Sequence, residues 1–100
     1  MTLNIQSPNI SLKQETTNFL DKKIKVLSRR YNEIIGIDVC FRIEKSSTNE
    51  NKICEIRLII SGYDLMASAQ CETFEAAIAE TSEALERQIE KRKTKLLNVK

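Results

Sequence analysis

Two runs of cationic side chains are the residues of this chain best placed to do chemistry. Lys22, Lys23, Lys25, Arg29 and Arg30 stand near the single acid Asp21, and Arg87, Lys91, Arg92, Lys93, Lys95 and Lys100 stand near the single acid Glu90. The 100-residue chain has a formal charge of only +2, so the cations are concentrated, and the acids gather elsewhere, with a cluster between Glu72 and Glu86. Clustered Lys and Arg attract phosphate groups, and each phosphate they neutralise releases condensed counterions. A cationic run on one helix is ordinarily a solvated face; two runs in one small domain point to a polyanion.

Other chemistries lack their residues. With no histidine, the commonest general base near neutral pH is missing. Glu83, Glu86 and Glu90 are at helical neighbour spacing, but no second catalytic partner accompanies them, so they read as an exposed acidic flank. Cys40, Cys54 and Cys71 form no Cys-x-x-Cys pair, which argues against zinc, and they read as small, half-buried strand residues. Gly36 and Gly62 are the only glycines, too few for a phosphate-cradling loop. Neither a cofactor nor a small-molecule substrate is expected. No apolar run approaches the ~20 residues of a membrane helix, and the segment from Met1 to Ile5 does not resemble a secretion signal, which places the chain in the cytoplasm. Aromatics are few: Phe19, Tyr31, Phe41, Tyr63 and Phe74. Tyr63, in a turn, could stack on a base but reads as structural, so recognition by shape and backbone charge fits better than reading of single strands.

The elements that position the cations follow from periodicity. Thr2 to Gln6 alternates like a short strand, and Ser7-Pro8-Asn9 breaks it. Ser11 is the expected N-cap of a helix from about Leu12 to Asn32, with Leu20, Ile24, Leu27 and Tyr31 on one stripe. At about 100° per residue, Lys22, Lys25 and Arg29 fall opposite that stripe, while Lys23 and Arg30 flank it on one side. Gly36 is the expected turn residue ending this unit. Ile37 to Glu44 and Ile53 to Ser61 read as strands around a polar loop from Lys45 to Asn51. Gly62-Tyr63-Asp64 reads as a tight turn into an antiparallel strand from Leu65 to Gln70. Thr73 then caps a helix to about Leu97, with Phe74, Ile78, Leu85, Ile89 and Leu96 on its apolar stripe. Arg87, Lys91 and Lys95 form a basic stripe, and Glu83, Glu86 and Glu90 the other exposed flank.

The order is strand, helix, three strands, helix. One apolar stripe per helix and one apolar face per strand predict an α+β fold, a four-stranded sheet with both helices on one face, β1 and β2 being joined by a right-handed crossover if parallel. The basic ridges of the two helices should then lie side by side as one cationic surface with a groove between them.

Several stretches resemble the ribosome hibernation promoting factor family, which includes the ribosome-associated inhibitor. They are Gly62-Tyr63-Asp64-Leu65-Met66-Ala67-Ser68-Ala69-Gln70, Thr73-Phe74 with Ala76-Ala77-Ile78, and Leu85-Glu86-Arg87-Gln88-Ile89 with Lys91, Lys93, Lys95 and Leu96. The opening Met1 to Ile5 and Ile43-Glu44-Lys45 match its style, so the resemblance spans nearly the whole chain. It implies a β-α-β-β-β-α fold similar to double-stranded-RNA-binding domains, and binding in the decoding channel of the small ribosomal subunit. Translation would be blocked there, in stationary or stressed cells, by contacts to ribosomal RNA. Carried over by position, Lys23, Arg87, Lys91 and Lys95 match basic places of the motif. Lys22, Lys25, Arg29, Arg30, Arg92 and Lys93 join them on charge and helical geometry. The chain departs from the family pattern at Glu75, where Tyr is common, at Ala79, where Asp is common, and at Ala84, where Lys is common. Residues 1–100 read as one ribosome-binding domain of the short form, without the C-terminal dimerisation domain of longer members.

Two other readings stay open at this level. One is a general RNA-binding module without ribosomal preference. The other is a protein-interaction module that uses the exposed sheet face around Cys40, Arg42 and Arg57.

Overall fold

A computed structural model of the chain describes residues 2–44 and 50–98, with side chains described through Arg92. The element order is β1 (Thr2–Gln6), α1 (Gln14–Arg30), β2 (Ile34–Ile43), β3 (Lys52–Ile60), β4 (Tyr63–Cys71) and α2 (Phe74–Asn98). The strands form one sheet in the order β1-β2-β3-β4, with β1 parallel to β2 and the other pairs antiparallel. This is the expected α+β architecture, with the helices on one face.

Alternation in the strands decides which face the helices cover. Ile37, Val39 and Phe41 of β2 lie opposite Leu58, Ile56 and Cys54 of β3, and all six are buried. Leu20, Ile24, Leu27 and Tyr31 of α1 and Ala77, Ile78, Leu85 and Ile89 of α2 complete the same core. Phe41, fully buried, meets Phe74 edge to face, with ring centroids 5.2 Å apart, a favoured aromatic arrangement. The apolar side of β1 behaves differently: Leu3 and Ile5 remain 39% and 38% exposed, so this edge strand is held mainly by its ladder to β2. Ile43 is likewise exposed, although its parity matches Phe41, because it stands at the end of the strand.

Of the two expected N-caps, one forms and the other does not. Thr73 caps α2 as predicted: its hydroxyl oxygen accepts the Ala76 N–H at 3.1 Å. Ser11 does not cap α1; Lys13 occupies the N-cap, with no side-chain cap bond. The chain must first recover from the left-handed Asn9 (φ 61°) and the turn closed by Ile10 N–H to the Ser7 carbonyl. That recovery moves the helix start to Gln14 and satisfies the Thr17 N–H with the Lys13 carbonyl instead.

Gly36 is not a turn residue. It lies inside β2, paired with Thr2 and Ile59, next to a register shift between Ile34 and Gly36. A Cβ there would stand 3.3 Å from Ile59 Cδ1, a contact that Ile59 would have to relieve by shifting, so glycine here serves close packing across the sheet rather than a turn. The actual turn before β2 is Tyr31 to Ile34, where the Ile34 N–H reaches the Tyr31 carbonyl. Between β3 and β4 the loop is only Ser61 and Gly62, since Ile60 already pairs with Tyr63. Gly62 has φ +91°, a conformation that costs glycine nothing. The polar loop from Lys45 is bracketed by the Glu44 N–H bonded to the Asn51 carbonyl at 3.0 Å, and its residues 45–49 lie outside the described part.

Candidate nucleic-acid interface

α1 presents its cations on two faces. Lys22, Lys25 and Arg29 are exposed on the side away from the sheet. Lys25 has a neighbour in Asp21 at 3.4 Å, one helical turn away and exposed like it, a pair worth little in water. Lys23 and Arg30 stand on the side that carries Thr16 and faces α2. Lys23 is half-buried, with its ammonium 5.3 Å from the Phe19 ring centre. Arg30 reaches Glu86 of α2 at 3.8 Å. Arg29 and Arg30 also occupy the last helical turn, where the helix dipole favours cations.

α2 sorts its charges by face. Its flank toward α1 is acidic. Glu75 accepts the Thr16 hydroxyl, Glu86 pairs with Arg30, and Glu90 accepts the Tyr31 hydroxyl at 2.8 Å. The Thr16 hydroxyl and the Glu75 backbone N–H hold the Glu75 carboxyl below its ordinary value, because both hydrogen bonds favour the ionised form. Burial, then the Glu90 hydrogen bond, push the Tyr31 phenol up. Arg87 and Lys91 are exposed on the outer side of α2. Arg92 turns toward β4, with its guanidinium 3.6 Å above the Tyr63 ring centre.

The groove between the helices therefore differs from the expected cationic cleft. It is an open hollow of about 310 Å³ lined by Arg30, Tyr31, Glu83, Glu86, Arg87 and Glu90. Three carboxylates face two guanidiniums, so the two basic ridges are separated by an acidic seam instead of merging. The cause is geometric: the flank of α2 that meets α1 is the one on which Glu86 and Glu90 recur at i, i+4. All the sequence-predicted cations with described side chains are accessible or half-buried on the helix layer. The side chain of Lys95, like that of Lys93, lies outside the described residues. Three further features are not legible in composition: the Thr16–Glu75 bond, the Tyr31–Glu90 bond and the Arg92–Tyr63 stack. Placing both helices on one face is enough to bring α1 against the acidic flank of α2, but pairing individual residues needs the helix register.

The opposite sheet face is mixed in charge and largely self-compensated. Arg42 pairs with Glu55 at 3.6 Å and Arg57 with Asp64 at 3.9 Å. Cys40 is half-exposed there, while Cys54 and Cys71 are buried on the helix side, and all three thiols are free. Burial pushes the Cys54 thiol up to about 12; burial, with Glu80 accepting its S–H, raises Cys71 to about 11. Among the described residues no group of His, Cys, Asp or Glu is placed to hold a metal ion, and no helix is long and apolar enough to cross a membrane. A hollow of about 730 Å³ lies at the other end of the helix layer between the β1–α1 loop and the start of α2, with Ile10, Leu12, Phe19 and Phe74 among its walls.

A four-stranded sheet that carries two charge-sorted helices on one face defines a small α+β binding protein. The chain belongs to the sigma 54 modulation protein / S30EA ribosomal protein family, whose model matches residues 3–97. It is 30% identical to the ribosome hibernation promoting factor of Azotobacter vinelandii over 95 residues, covering 95% of this chain and 85% of that one. It is 28% identical to the protein of that name from Klebsiella oxytoca over 96 residues, covering 96% and 97%. Its fold superposes on a ribosomal subunit interface protein of Coxiella burnetii with a TM-score of 0.80 at 19% identity, covering 94% and 99% of the two chains. It superposes on the N-terminal domain of Thermus thermophilus Protein Y with a TM-score of 0.75 at 17% identity, covering 91% and 98%. The resemblance to this family over nearly the whole chain is thereby established, and so is the β-α-β-β-β-α fold.

Proposed function

We propose that the chain is a ribosome hibernation factor that binds ribosomal RNA of the small subunit in the decoding channel. It blocks translation by occupancy, in stationary or stressed cells, with no chemical step. The observation that carries this reading is the pair of outward cationic ridges, Lys22, Lys25 and Arg29 on α1 and Arg87 and Lys91 on α2, in a chain of this family. Lys23, Arg30 and Arg92 serve as supporting contacts on the same layer, and Lys95 joins them on its place in the family motif alone. Exposed Lys and Arg on helices suit phosphates of a folded RNA, and the few aromatics suit recognition by shape and charge. The sheet-face alternative is less favoured because that face mixes its charges, with Arg42 beside Glu55 and Arg57 beside Asp64, where the helices gather cations of one sign.

The test is translation in vitro beside sedimentation with small subunits. Wild type inhibits and cosediments; Arg87→Glu/Lys91→Glu loses both. If about five phosphates are contacted, the log–log slope of affinity against salt is roughly −3.5 to −4.5. Inhibition that survives the charge reversal refutes the interface, and a flat salt dependence refutes RNA as the partner. Cosedimentation with bulk RNA but never with small subunits supports a general RNA-binding module.

A further inference from the structure

Among the described side chains, Arg92 is the candidate cation whose guanidinium lies over an aromatic ring. Its guanidinium carbon lies 3.6 Å from the Tyr63 ring centre, which is stacking distance. Tyr63 is half-buried at the start of β4, where it pairs with Ile60, and Arg92 is exposed on α2. The ring therefore covers one side of the guanidinium, and Arg92 as a whole remains exposed. Among the described residues Arg92 has no carboxylate partner, unlike Arg30, Arg42 and Arg57. An exposed guanidinium held on a ring without a carboxylate beside it is available to a further partner.

The surroundings supply what a nucleotide needs. An open hollow of about 310 Å³ adjoins the stack, lined by Leu65, Gln88, Lys91 and Arg92. Leu65 gives it an apolar floor. Lys91, one residue away on the exposed side of the helix, is a point charge for a phosphate. Gln88 is pinned, because its amide N–H donates to the Met66 carbonyl at 3.1 Å. That bond fixes α2 against β4, and the amide oxygen remains an acceptor.

We propose that Arg92, seated on Tyr63 beside the edge of β4, is a stacking platform for one unpaired nucleobase of the bound RNA. The proposal rests on the RNA-binding reading above and adds a contact of a different kind to it. Arg guanidiniums stack on bases as they do on aromatic rings, and a Tyr beneath holds the plane in place before binding. Lys23, although it lies near Phe19, cannot do the same, since an ammonium has no planar face. The platform lies at the sheet-edge end of the α2 ridge, so a strand whose phosphates follow Arg87 and Lys91 can place one extruded base on it. An accommodated single base, with no pattern of donors and acceptors around it, makes the contact tolerant of base identity.

The probe is an RNA hairpin with a single 2-aminopurine bulge in its stem, compared with the same hairpin fully paired. Wild type binds the bulged hairpin about tenfold more tightly than the paired one, as expected for one stacked base, and the 2-aminopurine fluorescence changes on binding. The ratio of the two affinities falls toward one in Arg92→Lys, which keeps the charge and loses the plane, and in Tyr63→Leu, which removes the ring. Thermal melting of each variant reports folding, and Arg92→Lys, at an exposed position, does not threaten it. Equal, salt-dependent binding of both hairpins by wild type overturns the platform and leaves the RNA reading standing. A preference for the bulge that persists in both variants also overturns it. Absence of any salt-dependent RNA binding overturns both.

Discussion

The two helices share a sheet face but are attached to the molecule by different means. α1 enters the core through one apolar stripe, Leu20, Ile24, Leu27 and Tyr31. Its long-range side-chain polar bonds go to the other helix: Thr16 to Glu75, Tyr31 to Glu90 and Arg30 to Glu86. α2 is bonded to the sheet itself. The buried Thr81 hydroxyl lies 3.2 Å from the Cys54 carbonyl of β3 and 2.7 Å from the Ala77 carbonyl of its own helix, and Gln88 bonds the Met66 carbonyl of β4. α2 is thus the keystone, and α1 is fastened to it. The same difference sorts the charges. α2 gives its acidic flank to α1, with Arg87 at the rim of the groove and Lys91 outside it, whereas α1 is free to leave Lys22, Lys25 and Arg29 outward with one acid, Asp21, among them.

The largest effect separates the two attachments. Leu27→Ala in α1 and Leu85→Ala in α2 both empty fully buried sites, and each costs about 2–5 kcal/mol in urea unfolding. Their hydrogen exchange differs in pattern. Leu27→Ala accelerates exchange in α1 more than in α2, while Leu85→Ala loosens both, because α1 loses the element it is bonded to. If the two variants give the same exchange profile, α2 is not the keystone.

A smaller effect tests the acidic seam. Glu83→Gln/Glu86→Gln removes two carboxylates from the groove and releases Arg30 from its 3.8 Å partner. The freed guanidinium can take a phosphate, so RNA affinity rises a few-fold and the salt slope steepens by about one. Unchanged or weaker binding would mean that the seam lies off the RNA path and that the two ridges do not bind as neighbours.

Much of this was legible in the residues, and the gaps have physical reasons. Alternation from Ile37 to Phe41 and from Cys54 to Leu58 is strict, because one face of each strand is buried and a one-residue slip would expose it; the sheet follows. Thr73 is recognisable because its cap bond is local, from residue 73 to residue 76. Ser11 misleads because the left-handed Asn9 just upstream sets where the helix begins, and a candidate cap two residues early has the same appearance in sequence. Gly36 misleads because its constraint is the side chain of Ile59 across the sheet, not its own neighbours. On α1 the helix wheel puts Lys22, Lys25 and Arg29 outward and Lys23 and Arg30 on one flank, as the structure does. The sign of the groove depends on which flank of α2 meets α1, a tertiary choice that no single helix records. Tyr63 and Arg92 are 29 residues apart in sequence, and only the return of α2 over β4 brings them together.

The smallest effect concerns the Thr16–Glu75 bond, the fastening at the far end of the helix pair from Tyr31 and Glu90. Hydrogen bonding to Thr16 and to its own backbone N–H lowers the Glu75 carboxyl from its ordinary 4.5, with Lys13 adding to the same direction against a desolvation that opposes it. A depressed folded value means that the ionised form is favoured by folding. Its contribution is fully present above the unfolded value of 4.5 and is lost as the pH falls through the lower folded value. Thr16→Val keeps the shape of a nearly fully buried side chain and deletes the donor. At pH 7 the variant is less stable than wild type by no more than about 1 kcal/mol, as for one partly exposed hydrogen bond. As the solution is acidified below 4.5 the two stabilities converge, because protonated Glu75 no longer rewards the donor that the variant lacks. Urea titrations at pH 7, 5, 4 and 3 check this. A gap that stays constant down to pH 3 would show that Thr16 holds α1 to α2 by packing alone, and the charge on Glu75 would then have no part in joining the helices.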